Sequence, residues 1–155
     1  MSGLSYICSG LYVSDWRTAV EIDYEEDTCP IGQVITVMTA DELDYYCIGA
    51  ADFAGAKWTS ILLEDDEDAP IADHFDQICQ LLDGAYGKAT LIHCMAGMSR
   101  SPTLAAAWIM HHYGMDVEAA LNLLTMRRPT VAPNAGFLCA LAALPTTANV
   151  DTCTT

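Results

Sequence analysis

The sequence predicts an α/β protein whose central sheet is mostly parallel and carries helices on both faces. Short runs of apolar and β-branched residues alternate with segments of helical periodicity, which is typical of a parallel sheet covered by crossover helices. The 155 residues show no repeat and no linker-like change of composition. We therefore expect one domain over residues 1–155, in which 145–155 form a polar, flexible tail.

Five segments have the composition of β-strands, because each is rich in aliphatic, β-branched or aromatic residues. They cover residues 6–8, 11–13, 33–38, 57–63 and 89–92. The first two are separated by a short turn around Ser9-Gly10, which predicts a small hairpin or two short strands. The β-branched run 33–38 is expected to be a central strand.

Helical spacing of apolar residues and the presence of capping residues predict the helices. They are expected over residues 71–82, 103–113, 117–124 and 134–144. Ser14 or Asp15 is a candidate cap for a further short helix. Gly114 is expected to end one helix and Asp116 to cap the next. Residues 41–46 are interpreted as one helical turn or a loop.

The charge balance restricts the possible partners. The chain carries 21 acidic and six basic residues, a net charge of −15 at pH 7. Such an excess repels nucleic acid and anionic membranes and attracts basic protein segments, so we expect neither nucleic acid nor a membrane as a partner. The alternative is that the acidity only maintains solubility. The sequence shows neither a signal peptide nor an apolar run of membrane-spanning length.

The cysteines and histidines show no metal-binding or disulfide pattern. The seven cysteines are scattered, odd in number and without a Cys-x-x-Cys pair. This favours reduced thiols and an intracellular protein, cytoplasmic or nuclear. His74, His111 and His112 lack metal-ligand spacing, so no metal site is predicted.

The strongest functional signal is the segment 91–103. An apolar strand precedes Cys94, and a helix with a proline in its first turn follows Arg100. Backbone N–H groups of the loop between them can surround an oxyanion, which the helix N-terminus also attracts. The Arg100 guanidinium matches two phosphate oxygens, and these donors favour ionisation of Cys94 to a nucleophilic thiolate. The small residues that allow this loop to close are Ala96, Gly97 and Ser99.

This segment resembles the signature of the cysteine-dependent protein phosphatases, most closely the small dual-specificity phosphatases, whose pattern is His-Cys-x-x-Gly-x-Ser-Arg-Ser. A bare Cys-x5-Arg is weak, but the His, the Gly and the Ser-Arg-Ser add specificity. The alternative, a buried structural Cys beside a capping Ser, leaves Arg100 without a purpose. The motif reads His93-Cys94-Met95-Ala96-Gly97-Met98-Ser99-Arg100-Ser101-Pro102-Thr103.

The resemblance implies a general acid on the acidic loop 64–70. In the family this acid is an Asp about ten residues before a Phe of the next helix, and counting back from Phe75 gives Asp65. Asp66 is the alternative. The remaining carboxylates of this run are expected to be solvated charges.

The resemblance also implies supporting roles. Ser101 donates to the Cys94 sulfur, although a helix-capping role is compatible. His93 shapes the loop and helps to ionise the thiol. Asn134, within an Arg-Pro-x-x-x-Pro-Asn-x-Gly-Phe motif, braces the loop, although Ala140 stands where the family often has Gln. The residues implied in phosphate binding are Met95, Ala96, Gly97, Met98, Ser99 and Arg100.

The implied function is dual-specificity protein phosphatase activity. The enzyme would hydrolyse phosphotyrosine and phosphoserine or phosphothreonine through a phosphocysteine, without a cofactor, in protein substrates that carry basic segments. Alternatives are hydrolysis of phosphoinositides or RNA 5′-phosphates, or a non-catalytic phosphoprotein-binding module. The oligomeric state is left open.

Overall fold

The computed structural model describes residues 3–85 and 87–145, and its centre is a five-stranded sheet. The strand order is β1-β2-β5-β3-β4. The hairpin β1–β2 is antiparallel, and the other three pairings are parallel. The strands are β1 (Leu4–Cys8), β2 (Leu11–Ser14), β3 (Ile31–Met38), β4 (Lys57–Leu62) and β5 (Ala89–His93). The predicted mostly parallel sheet is confirmed.

The middle strand, β5, determines where the functional site lies. His93 ends β5 and pairs with Ser14 of β2 on one side and with Thr36 of β3 on the other. The carboxyl ends of three parallel strands therefore meet at one edge of the sheet. In open parallel sheets, ligands bind in the crevice outside this edge.

Helices cover both faces of the sheet, as predicted. Alternate strand residues supply two cores, because successive side chains point to opposite faces. Ile35 and Ile92 pack in the core beneath α3, α4, α5 and α6, whereas Val34 and Leu91 pack in the opposite core beside α1 and a 3₁₀ turn, Ala50–Phe53. The helices are α1 (Trp16–Glu21), α2 (Ala40–Tyr45), α3 (Phe75–Asp83), α4 (Arg100–Tyr113), α5 (Val117–Arg127) and α6 (Ala135–Ala142).

Several helix boundaries differ from the sequence-based expectations. Asp15, rather than Ser14, caps α1 by accepting a hydrogen bond from the Thr18 N–H. The segment 71–82 begins with a 3₁₀ turn over residues 71–74 before α3 starts. Residues 41–46 fall largely in α2, where Thr39 and Glu42 form a reciprocal capping box.

The helix predicted over 103–113, with Ser101-Pro102 at its opening, begins at Arg100 as α4. Ser101 therefore lies in the first turn of the helix, and Ser99 occupies the capping position instead. Gly114 ends α4 in the left-handed conformation, with φ of 66°, and Asp116 caps α5, as expected.

Within residues 3–85 and 87–145, no helix is both long and apolar enough to span a bilayer. Most of the expected flexible tail, residues 146–155, lies outside the described residues.

Candidate active site

The loop 94–99 joins the end of β5 to the start of α4, and Cys94 lies at its base. The Cys94 side chain is 2% exposed. Its sulfur accepts a hydrogen bond from the Gly97 N–H at 3.2 Å and lies 3.2 Å from the Ser101 Oγ. A thiolate has no proton to give, so an ionised Cys94 makes the Ser101 hydroxyl the donor. Both groups then stabilise negative charge on the sulfur.

Gly97 allows the loop to turn around this sulfur. Its φ is 69°, in the left-handed region that favours glycine. A Cβ at this position would lie 2.6 Å from Arg128 Nη2 and 2.7 Å from the Ser14 carbonyl oxygen. Both the backbone conformation and the close neighbours therefore require glycine here.

Arg128 holds the outer side of the loop, a role that the sequence analysis missed. Its side chain is buried, and it donates from Nε to the Gly97 carbonyl at 2.9 Å and from Nη2 to the Ala96 carbonyl at 3.3 Å. Nη1 also donates to the Gly3 carbonyl at 3.0 Å and to Ser5 Oγ at 3.2 Å. Charge-assisted bonds of this kind fix the orientation of the Ala96 and Gly97 carbonyls, while the Gly97 N–H donates to the Cys94 sulfur.

His93 supports the loop from below as a neutral side chain. Trp58 Nε1 donates to Thr36 Oγ1 at 2.8 Å, and Thr36 Oγ1 lies 2.6 Å from His93 Nε2. His93 Nδ1 lies 3.2 Å from the Cys94 carbonyl, which can only accept, so the proton is on Nδ1 and Thr36 donates to Nε2. Complete burial lowers the pKa of His93 to about 4. At neutral pH the imidazole therefore orients the loop backbone without carrying charge.

Arg100 is oriented by Glu42, which the sequence analysis had placed only in the undefined segment 41–46. The guanidinium donates from Nη1 and Nη2 to the two Glu42 oxygens, at 2.6 and 3.0 Å, and from Nη1 to the Leu63 carbonyl at 2.9 Å. The hydrogen bond from Arg100 lowers the pKa of Glu42. Burial is the largest single influence and works against the charge on Arg100, but the hydrogen bond to Glu42 and the charges of Cys94, Glu42 and Asp65 together outweigh it and raise the arginine pKa. Both groups are therefore charged at neutral pH.

These contacts leave one edge of the Arg100 guanidinium for a ligand. Of its five hydrogens, the bonds to Glu42 and Leu63 use two on Nη1 and one on Nη2. The remaining two, on Nε and Nη2, lie along the same edge of the planar group. Such an edge matches two oxygens of a phosphate.

The pocket above Cys94 has a volume of about 370 Å³ and brings together most of the predicted site residues. Met95 and Met98 are among its lining residues. The sequence analysis did not include Ala132, which also lines the pocket. The lining residues are Asp65, Cys94, Met95, Ala96, Met98, Ser99, Arg100 and Ala132.

The two candidate acids lie on opposite sides of their loop. Asp65 lines the pocket of Cys94, and its Oδ1 accepts a hydrogen bond from Asn134 Nδ2 at 3.0 Å. Asp66 lines a neighbouring groove, and its Oδ1 accepts from the Asp68 N–H at 2.8 Å. Only Asp65 shares a cavity with the sulfur in this arrangement.

Asn134 connects the acidic loop, the loop 94–99 that contains Cys94, and α6. Its Oδ1 caps α6 by accepting from the Phe137 N–H at 2.9 Å, while its Nδ2 donates to Asp65. Its backbone N–H donates to Ser99 Oγ at 3.0 Å. Asn134 thus meets both loops that line the pocket, and its contact with the catalytic loop uses the backbone rather than the side chain.

Gly136, in the first turn of α6, allows the acidic loop to lie directly on that helix. A Cβ at this position would be 1.9 Å from the Glu67 carbonyl oxygen and 2.6 Å from the carbon that carries it. A backbone group cannot give way as the end of a flexible side chain can. The absence of a side chain at Gly136 therefore allows the backbone of the acidic loop, two residues after Asp65, to contact α6.

The arrangement is suited to covalent chemistry on a tetrahedral anion. A buried sulfur with two hydrogen-bond donors faces a pocket that also holds the guanidinium edge of Arg100 and the carboxyl group of Asp65. Nucleophile, anion receptor and proton carrier are the three groups that such a displacement requires. No group of three or more metal-ligating side chains is present in the described ranges.

Curated proteins with similar sequences are phosphatases. The model of the dual specificity phosphatase catalytic domain matches residues 11–146. Tyrosine-protein phosphatase yvh1 of Schizosaccharomyces pombe is 32% identical over 148 residues, which are 89% of this chain and 40% of that protein. Human dual specificity protein phosphatase 21 is 38% identical over 88 residues, 55% of this chain and 46% of that protein. The chain spans less than half the length of these relatives.

Solved structures of the same architecture superimpose over nearly the whole chain. The human tyrosine phosphatase-like serine/threonine/tyrosine-interacting protein has a TM-score of 0.81 at 24% identity, covering 91% of this chain and 94% of that one. The Yvh1 phosphatase domain from Chaetomium thermophilum has a TM-score of 0.70 at 23% identity, with coverages of 90% and 94%. At these identities the likeness shows the fold alone. Because the family model matches most of the chain, the protein belongs to the dual-specificity phosphatase catalytic-domain family.

Proposed function

We propose that this protein is a dual-specificity protein phosphatase that hydrolyses phosphotyrosine and phosphoserine or phosphothreonine in proteins. The observation that carries the proposal is the placement of the Cys94 sulfur, with its two donors, in one pocket with Arg100 and Asp65. Three chemical roles that the reaction needs meet within one cavity.

In the first step the Cys94 thiolate attacks phosphorus, and the bond from phosphorus to the seryl, threonyl or tyrosyl oxygen breaks. Asp65 gives its proton to that departing oxygen. The N–H groups of residues 95–100 and the free edge of Arg100 hold the three equatorial phosphate oxygens as charge spreads over them. The product of this step is a phosphocysteine and a free hydroxyl group.

In the second step water attacks the phosphocysteine, and the Asp65 carboxylate takes the proton that the water loses. The bond from phosphorus to sulfur breaks, and inorganic phosphate forms. The Ser101 hydroxyl, 3.2 Å from the sulfur, donates to the thiolate as it departs. His93 and Asn134 are positioning residues. His93 orients the Cys94 carbonyl, and Asn134 orients Asp65.

The alternatives are less well supported by the residues present. A phosphoinositide substrate favours lysines inside the loop, where this chain has Met95, Ala96 and Met98. RNA favours a basic surface, and the chain has a net charge of −15. A non-catalytic binding module does not need the nucleophile, the arginine and the acid together. We place the enzyme inside the cell, in the cytoplasm or nucleus, where a catalytic thiol stays reduced.

Asp65→Asn tests the proposed reaction and the assignment of the acid together. Asparagine keeps an oxygen that accepts from Asn134 but has no acidic proton to give. We expect kcat/KM for phosphotyrosine and phosphoserine peptides, which reports formation of the phosphocysteine, to fall by about 10²- to 10⁴-fold. The kcat/KM of esters with acidic phenols, which leave without a proton, should fall much less. A plot of log kcat/KM against the pKa of the leaving phenol measures the difference as a steeper negative slope.

The matched control for this variant is Asp66→Asn, which makes the same change one residue away, on the groove side of the loop. It should retain the shallow leaving-group dependence of the wild type. If Asp66→Asn has the steep slope and Asp65→Asn does not, the acid is Asp66. Protein phosphatase function is refuted if both variants keep the activity on small esters and the wild type hydrolyses no phosphopeptide.

Gly136→Ala tests whether the close contact with Glu67 positions Asp65. The added methyl group would overlap the Glu67 carbonyl, so the acidic loop has to move away from α6. We expect kcat for phosphotyrosine peptides to fall by about tenfold or more, with an unchanged KM, because a misplaced acid is a poor proton donor. Ala135→Gly, at the neighbouring position, also changes helix propensity but adds no group that meets Glu67, so it should keep the wild-type kcat. Equal activity of Gly136→Ala and wild type would contradict the positioning role.

A further inference from the structure

A second concavity, larger than the phosphate pocket, lies on the other side of the acidic loop. Its volume is about 510 Å³. We call it the side groove; its apolar lining includes Leu62, Ala69 and Pro70, and its rim carries Glu64, Asp66 and Asp68. Leu62, the last residue of β4, is 57% exposed although it is a large aliphatic residue. The described lining of the groove includes no basic residue.

The side groove is separated from the phosphate pocket by only one layer of chain. Asp65 lines the pocket of Cys94, whereas its neighbours Glu64 and Asp66 line the groove. Leu63 lines the groove as well, and its carbonyl accepts from Arg100, which lines the pocket. A peptide with its phosphorylated residue over Cys94 therefore carries neighbouring residues across this wall and onto the groove.

The chemistry of the side groove indicates what those neighbours are. An apolar lining beneath a ring of carboxylates suits an aliphatic side chain beside a lysine or arginine, whose stem is apolar and whose head is cationic. An acidic segment would place like charges opposite Glu64, Asp66 and Asp68. Solvated carboxylates alone would explain the rim, but they do not explain the exposed Leu62 and the apolar lining behind them.

We propose that the side groove binds the segment of the substrate next to the phosphorylated residue, and that it selects segments that combine basic and aliphatic residues. This inference rests on the proposed function, since it assigns the substrate class of that same active site. The groove supplies sequence preference, and the phosphate pocket supplies the chemistry. Because the rim charges are exposed, the preference weakens as salt increases.

The test compares phosphotyrosine peptides that differ only beside the phosphorylated residue. Arg-Leu-Arg is placed directly before or directly after phosphotyrosine in an otherwise alanine-based peptide, and Glu-Ala-Glu replaces it in the controls. We expect kcat/KM for one Arg-Leu-Arg placement to exceed that of its Glu-Ala-Glu control by about tenfold at low salt. The ratio should fall toward unity at high salt.

Variants of the side groove test whether this surface causes the preference for Arg-Leu-Arg peptides. The triple variant Leu62→Ser, Glu64→Gln, Asp68→Asn should reduce the ratio to about twofold or less, while its activity on p-nitrophenyl phosphate stays at the wild-type level. The matched control, Glu26→Gln with Asp27→Asn, removes two exposed charges from the turn that precedes β3 at the other end of the sheet. It should leave the ratio unchanged.

The outcomes separate the inference from the proposed function. If p-nitrophenyl phosphate and all four peptides are hydrolysed without a preference, the side groove is not a substrate site and the phosphatase function stands. If the control variant lowers the ratio as much as the groove variant does, the overall charge causes the preference and the inference is wrong. If the wild type hydrolyses none of these esters, the proposed function fails and the inference fails with it.

Discussion

Cys94→Ser is expected to reduce the hydrolysis of phosphotyrosine peptides by on the order of 10⁴-fold or more, because removing a nucleophile of this kind eliminates the covalent pathway. A hydroxyl group in the place of the thiol stays protonated at neutral pH and attacks phosphorus poorly. Binding should remain within a few-fold of the wild type, since the Arg100 edge and the loop amides are unchanged. Steady-state kinetics measures the first effect, and titration calorimetry with the peptide measures the second.

Cys139→Ser is the matched control, because Cys139 is an exposed residue of α6. It should have the activity of the wild type. After rapid quenching, the wild type should carry a phosphate group that is stable to base treatment in the manner of a thiophosphate ester, and Cys94→Ser should not. Turnover by Cys94→Ser at a rate close to that of wild type would contradict the phosphocysteine mechanism.

Arg100→Lys is expected to lower kcat/KM by about 10²- to 10³-fold, the usual cost of losing a donor that stabilises charge in a transition state. Lysine keeps the positive charge but has no planar fork, so it cannot bind Glu42 with two parallel bonds and present a second edge to phosphate. The inhibition constant of vanadate should rise in parallel, because vanadate occupies the same position as the transferred phosphoryl group.

Arg17→Lys controls for the chemical change, since Arg17 is exposed on α1. Circular dichroism and thermal unfolding of Arg100→Lys establish whether the variant folds; a folded variant with wild-type vanadate affinity would contradict the phosphate-binding role of Arg100. Glu42→Gln should have a smaller effect in the same direction, because a neutral amide can still accept one bond from the guanidinium.

Local sequence features were sufficient to predict the main architecture. The alternation of β-branched runs such as 33–38 with helical patterns predicted the mostly parallel sheet, because each pattern reflects which faces of one element are buried. The boundaries were less accurate. Pro102 indicated the first turn of α4 correctly, but helical periodicity begins only after it, so the sequence did not identify Arg100 as the first helical residue.

Long-range partners were not predictable from the sequence. Thr39 and Glu42 have the spacing of a capping box, which indicates a helix start but not that the same carboxylate meets Arg100, 58 residues away. Arg128 is 31 residues from Gly97, and its contacts depend on how α5 packs. Likewise, a run of five acidic residues has no period that reveals which carboxylate faces the pocket. Only the folded loop separates Asp65 from Asp66.

The pairing of Arg100 with Glu42 also affects the end of the proposed catalytic cycle. Inorganic phosphate leaves as an anion from a receptor whose single guanidinium is already balanced by a carboxylate. A bare cation at the same position would retain the departing ion more strongly. The carboxylate that orients the receptor therefore also weakens inhibition by the product, and it frees the pocket for the next substrate.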